Sequence, residues 1–204
     1  MRRKSLLLGL SVVIIATFFL SGCIQTVVKP TPKNFKTPEV TLSYVDVAHY
    51  WGWWYYAKSV APTKGEAGDY GAPLDLAFFF DITNPNPFPV LMEDIKFTVA
   101  FEEFDLNSPI STAAQWIPAG KTNQIEVHAM FDGRQSLLSL LVAGGFQLQE
   151  KTGAAGAGAG LGQLETWWLG IPEFAFPIYV KGGAAVFTAD GLTSVASFAA
   201  KFPE

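Results

Sequence analysis

The chain of 204 residues contains one cysteine, Cys23, and two histidines, His49 and His128. A lone cysteine excludes an intrachain disulfide and any cysteine-based zinc cluster. Two histidines leave little for a histidine-rich metal centre. Charge is sparse as well, with charged residues at 16% of the chain and a formal net charge of −4. No basic stripe is left for a nucleic-acid backbone, so nucleic acid is not an expected partner. Motifs that announce chemistry are missing too: there is no Gly-x-Ser-x-Gly, no P-loop, no His-Glu-x-x-His and no EF-hand loop. What the sequence has instead is apolar mass, 50% hydrophobic and 14% aromatic residues, ample for one well-filled core.

The N-terminus has its own layout. Arg2, Arg3 and Lys4 precede an apolar run from Leu6 to Leu20, and small residues follow. This is the arrangement of a secretory signal, and the run is short for a membrane span. It ends Leu20-Ser21-Gly22-Cys23, which resembles a bacterial lipobox, so residues 1–22 are predicted to be a lipoprotein signal peptide and Cys23 the lipidated N-terminus of the mature chain. Loss of the three basic residues takes the net charge from −4 to −7. Two or more acyl chains hold a protein stably on a membrane. Residue 24 is Ile rather than Asp, which by similarity to Gram-negative lipoproteins points to the outer membrane, the alternative being the outer face of the cytoplasmic membrane. Residues 23–37, with Pro30, Pro32 and three lysines, read as a proline-stiffened, lipid-anchored tether. Residues 38–204 read as a single domain.

The stretch from Leu74 to Val90 organises that domain. Leu74, Leu76, Phe78, Phe80 and Ile82 share one side of a strand, with Asp75, Ala77, Asp81 and Thr83 on the other. Pro85, Pro87 and Pro89 then remove three ladder donors and force an extended corner. Asn84 and Asn86 sit in that corner with amides able to satisfy backbone groups the prolines leave unpaired. A Phe-rich strand running into Thr83-Asn84-Pro85-Asn86-Pro87-Phe88-Pro89 resembles the WHy (water stress and hypersensitive response) domain of type 2 late embryogenesis abundant (LEA) proteins. The resemblance implies a mostly-β fold, an immunoglobulin- or fibronectin III-like antiparallel β-sandwich, and a link to desiccation or envelope stress. It implies no reaction.

Other strands follow by alternation: Glu39 to Val47 with a bulge near Tyr44, Ile95 to Phe101, a weaker one over Ile110 to Ile117, Ile125 to Phe131, Phe174 to Val180 continuing through a Gly182-Gly183 bulge to Ala189, and Val195 to Phe202 after an Asp190-Gly191 hairpin turn. Between Asp132, which with Gln135 makes a capping-box variant, and Val142 the period changes to that of one short helix. The Lys58 to Gly71 segment and the Gly153 to Gly162 Ala/Gly tract read as loops, the tract because it has no side chains to fill a core.

The cluster Tyr50-Trp51-Gly52-Trp53-Trp54-Tyr55-Tyr56 admits three readings: rings packed on the sandwich, a membrane or protein contact surface, and a sugar-stacking platform. Trp51, Trp53 and Trp54, with Trp167 and Trp168, are the candidate contact residues. Glu93 and Asp94, and Glu102, Glu103 and Asp105, are acidic pairs and triplets of the kind usually solvated, and His128 falls on a wet strand face. No catalytic residue, metal site or cofactor is predicted. Two functions fit: a membrane-anchored, non-catalytic protective module of WHy/LEA type 2 kind, and a structural or interaction subunit of an envelope assembly. Partners would be the membrane through its lipid and, for either function, envelope proteins or exposed hydrophobic surfaces.

Overall fold

A computed structural model describes residues 28–56 and 71–203; the predicted signal peptide, Cys23 and nearly all of the 58–71 loop lie outside the described residues. Among the described residues nine strands form two antiparallel sheets. The first holds β1 (Glu39–Tyr50), β2 (Leu74–Thr83) and β7 (Thr122–Phe131) in the order β1-β2-β7. The second is built on β3 (Val90–Phe101), β8 (Ile178–Ala189) and β9 (Leu192–Phe202), with the short β4 (Phe104–Asn107), β5 (Ile110–Ser111) and β6 (Gln115–Ile117) pairing the free side of β3.

The alternation in β2 decides how the sheets face. Leu74, Leu76, Phe78, Phe80 and Ile82 are each at most 1% exposed, and the Phe78 and Phe80 rings meet Phe97 of β3 edge-on at 5.2 and 5.0 Å. Phe198 of β9 closes on Phe80 at 5.2 Å. Such geometry places positive ring edges against negative faces, adding about 0.5–1.5 kcal/mol per pair beyond area burial. Phe198 reaches that far because the residue beside it is a glycine: a Cβ on Gly183 would stand 2.4 Å from the Phe198 ring. The bulge expected at Gly182-Gly183 is present as a register shift between Val180 and Gly183, with Gly182 at φ 57°. The bulge near Tyr44 is present between Leu42 and Tyr44. Asp190 and Gly191, both at positive φ, turn β8 into β9 as their sequence requires.

Among the described residues three helices, not one, close the end of the sandwich where β1 finishes: α1 (Gly133–Val142), α2 (Gly145–Thr152) and α3 (Ala157–Gly170). The first begins as expected, with the Asp132 carboxylate accepting from the Arg134 and Gln135 N–H groups. The Ala/Gly tract, by contrast, is no loop, since most of it forms the start of α3. Its missing side chains are what let it pack, because a Cβ on the buried Gly160 would lie 2.7 Å from Leu137 of α1. The predicted strand from Phe174 is also shorter than its alternation, since a 3₁₀ turn over Ile171–Glu173 leaves Phe174 at φ 47° and β8 starts at Ile178. Asp132→Ala leaves two helix N–H groups without acceptor and is expected to lower stability by about 1 kcal/mol, read as a reduced urea midpoint with an unchanged slope.

Candidate functional site

Two ends of the domain carry the residues singled out by the sequence. β1 pairs Glu39 with Thr83 at one end and Tyr50 with Leu74 at the other. At about 3.3 Å per residue the ends are separated by roughly 30 Å.

At the first end the proline corner closes around Asn84 and Asn86, which are 0% and 1% exposed. The prolines supply no N–H, so the carbonyls nearby need donors from side chains. Asn84 Nδ2 donates to the carbonyls of Phe88, Ile117 and Pro118 at 2.9, 3.1 and 3.1 Å, holding the corner against the β6–β7 turn. Its Oδ1 accepts from both the backbone N–H and Nδ2 of Asn86, at 3.0 and 2.8 Å. Asn86 passes the connection outward: its Nδ2 donates to the Lys36 carbonyl at 2.7 Å and its Oδ1 accepts from the Lys36 N–H at 2.8 Å. Pro85 and Pro87 hold the backbone extended between these contacts. The last residues of the predicted tether are therefore tied to the domain. Phe35 packs on Phe88 at 6.1 Å, and the Asn34 side chain closes a turn between Lys29 and Thr31.

At the second end β1 runs into a 3₁₀ turn over Trp53–Tyr55 rather than extending through the aromatic cluster. Gly52, at φ 75°, permits the turn and lets the Trp54 indole fold over it, where a Cβ would lie 2.6 Å from Nε1. The rings divide into two layers. Trp53 stacks on Tyr56 at 4.5 Å and tilts against Trp168, while Trp51 and Trp54 gather on Tyr55 and remain exposed, at 39% and 83%. The helical cap adds exposed Leu138, Val142 and Phe146 to this end of the molecule.

Trp167 and Trp168 are no contact surface, since both are fully buried. Once the Ala/Gly tract is helical, α3 turns Trp167 among Phe101, Phe104 and Phe176 and brings Trp168 beneath Trp53. Both indoles are satisfied, Trp167 Nε1 by Glu102 Oε2 at 3.0 Å and Trp168 Nε1 by the Ala72 carbonyl at 2.7 Å. The Tyr50 hydroxyl donates to the Trp168 carbonyl at 2.6 Å, so β1, the sheet edge and the cap meet at one tryptophan.

Charged groups pair at two places. Glu102, at φ 53° in the β3–β4 turn, receives Lys151 of α2, and Lys151 also lies 3.6 Å from Glu103. Asp105 pairs with Lys181 at 2.8 Å, and between these pairs runs a cleft of about 430 Å³ lined by Glu102, Glu103, Pro177, Tyr179 and Lys181. His128 lies between Asp75, 2.8 Å from Nδ1, and Glu126, 3.1 Å from Nε2, on the outer face of the first sheet. Among the described residues no three His, Cys, Asp or Glu are grouped to hold a metal ion. Nor is any helix among them long and apolar enough to cross a membrane, which leaves β-barrels unaddressed.

No family model and no curated protein matches this chain. Solved structures do. One is a protein from Archaeoglobus fulgidus at 8% identity, covering 79% of this chain and 94% of that one with a TM-score of 0.40. A structural-genomics target solved by X-ray matches at 8% identity, 81% and 87% coverage and a TM-score of 0.39. The solution structure of a candidate LEA protein matches at 10% identity, 100% and 87% coverage and a TM-score of 0.27. Likenesses of this size carry no argument about what the chain does.

Two outcomes test the geometry of the two ends. Asn84→Ala takes the amide donor from the buried Phe88 and Ile117 carbonyls, while the exposed Pro118 carbonyl keeps the Lys121 N–H, and is expected to cost about 1–3 kcal/mol, whereas Asn86→Ala frees Lys36 and should expose the chain there to trypsin at unchanged far-UV signal. At the other end, burial pushes the Tyr50 phenol above its ordinary value of 10.0, against the lowering effect of a backbone bond from Trp53. A raised phenol pKa gives stability that is complete below pH 10 and is lost as pH rises towards the folded value. Tyr50→Phe should therefore flatten the alkaline limb of a stability–pH curve measured by urea titration.

Proposed function

We propose that this chain is a membrane-anchored, non-catalytic protective module of the WHy/LEA type 2 kind, acting in desiccation or envelope stress. The observation that carries the proposal is the proline corner. The residues on which the family resemblance rests, Thr83 to Pro89, place both asparagines in the interior and spend their amides on backbone groups of the domain and of Lys36. The corner is architecture, fixing the body to the segment that leads back to Cys23.

Lipidation at Cys23 would set the corner end towards the bilayer of the outer membrane, with the aromatic end pointing away. A protector needs a fold that persists while hydration is lost, and the interlocked Phe core provides buried apolar area at about 25 cal/mol per Å². It also needs a weakly adhesive outer surface, and Trp54 with Trp51 offers one. That same exposure favours the second reading, an adaptor in an envelope assembly, which would need a patch of about 800 Å² per partner.

The experiment dries a labile enzyme with liposomes carrying the protein, with empty liposomes, and with liposomes carrying Trp54→Ser. A palmitate analogue should label the wild type and leave Cys23→Ser unlabelled. Enzyme activity recovered above empty liposomes, reduced by Trp54→Ser, is the expected result. No protection, together with one stoichiometric envelope partner that is lost on Trp54→Ser, would replace the protector with the adaptor.

A further inference from the structure

The proline corner has two faces, because successive side chains of an extended segment point opposite ways. Asn84, Asn86 and Phe88 are buried, while Pro85, Pro87 and Pro89 are exposed. The outward face is thus three pyrrolidine rings that carry neither charge nor N–H.

Lysines surround it. Asn86 holds both backbone groups of Lys36, and the β6–β7 turn is tied to the same asparagine pair, with the Lys121 carbonyl accepting the Asn84 N–H at 2.9 Å and the Gly120 N–H donating to the Asn86 carbonyl at 3.0 Å. Lys29 and Lys33 belong to the turn before Phe35, where Asn34 Nδ2 donates to the Lys29 carbonyl at 3.0 Å and the Phe35 ring meets Phe88. All four side chains are exposed, and among the described residues none of their ammonium groups meets an acceptor, whereas Lys151 and Lys181 towards the helical cap are both paired. Backbone fixed and charge free, these lysines are preorganised for a ligand.

Glu39 at the start of β1 and Asp190 in the β8–β9 turn border this end, since Glu39 lies opposite Thr83 and Thr188 lies opposite Leu91. Asp81 and Glu93 lie further along their strands, holding Gln124 and Thr188. Four lysines against two carboxylates make a positive end in a chain that carries −7 once its basic start is lost. Beside them Trp116, opposite Leu91 on the outer face of the second sheet, is 59% exposed. An indole with an apolar body and a polar N–H suits the level of lipid headgroups.

From these observations we infer that the exposed face of the proline corner is a docking surface for anionic phospholipid headgroups, with Lys29, Lys33, Lys36 and Lys121 set around the proline rings and Trp116 at the border. Lysines beside an anionic bilayer are attracted within a screening length, and such basic residues are a second signal that makes a lipid anchor stable. Reach is sufficient. Lys29 follows Cys23 by six residues, so an acylated Cys23 keeps it within about 20 Å of the headgroups. Apolar rings at the centre and an indole at the rim favour a bilayer over a soluble polyanion. The inference rests on the membrane anchoring proposed above, and adds the surface with which the folded domain meets the bilayer.

The test reconstitutes the full chain into vesicles of phosphatidylcholine alone and of phosphatidylcholine with about one-third phosphatidylglycerol, then acetylates lysines briefly and reads each by mass spectrometry. Lys29, Lys33, Lys36 and Lys121 should be protected at least about threefold in the anionic vesicles relative to the neutral ones. Lys96 and Lys201, exposed on the second sheet, should react alike in both. Protection should vanish in about 1 M salt, where the screening length falls to about 3 Å. Lys33→Gln with Lys121→Gln removes side chains that bond nothing in the fold, and should return Lys29 and Lys36 to their neutral-vesicle rates at an unchanged melting temperature. Flotation with neutral vesicles reports the anchor alone, and a chain that does not float refutes the anchoring and this inference with it. A chain that floats while its four lysines react equally in both vesicles, while Lys96 and Lys201 are protected to the same extent, or while soluble polyglutamate protects the four better than anionic vesicles do, overturns the docking surface and leaves the anchoring intact.

Discussion

A side-chain amide standing in for missing backbone donors is the interaction on which this fold depends. Three prolines in five residues let the chain turn a corner between sheets without continuing either ladder, but leave carbonyls in a dry interior with nothing to bond. Asn84 bonds the Phe88 carbonyl of that corner and the Ile117 and Pro118 carbonyls across from it through one Nδ2 group, and hands its oxygen to Asn86. Only with that connection made can β2 and β3 lie in opposite sheets with their Phe faces together. The Phe78–Phe97–Phe80 packing is thus downstream of a polar contact.

The opposite end solves a different problem by different means. A sandwich is open at its ends, and here three helices and an aromatic turn cover one of them. Trp168 joins the parts: its indole reaches Ala72, its carbonyl takes Tyr50, and its ring lies beneath Trp53. The carboxylate of Glu102 performs a similar service for the cap, receiving Lys151 from α2 and Trp167 from α3. Polar groups at both ends fix geometry that hydrophobic contact alone would leave loose.

Much of this was legible in the residue pattern, and the parts that were not share a cause. Period-2 alternation placed the strands from Leu74, Ile95 and Ile125, because one face of each meets the core and the other meets solvent. Turn chemistry located Asp190-Gly191 and Gly182-Gly183, because positive φ singles out few residue types. The Ala/Gly tract misled because composition describes what side chains can fill and is blind to what their absence admits. α3 docks through Gly160 at a distance that a methyl group would prevent. Trp167 and Trp168 read as surface residues for the same reason, since their burial follows from that docking and has no local signal. Asn86 was legible as a corner residue, while its grip on Lys36, 50 positions away, was not.

That grip has a mechanical meaning. Asn86 holds both the N–H and the carbonyl of Lys36, a two-point clamp on the backbone three residues before β1 begins. Tension drawn along the N-terminal segment meets the Phe35–Phe88 contact and then this clamp before it reaches the ladder. It is passed through Asn84 into the corner between the sheets, and the β1–β2 ladder is spared from unzipping one rung at a time. The asparagine pair thus works as a strain relief, like the fitting that keeps a pulled cable from loading its solder joint.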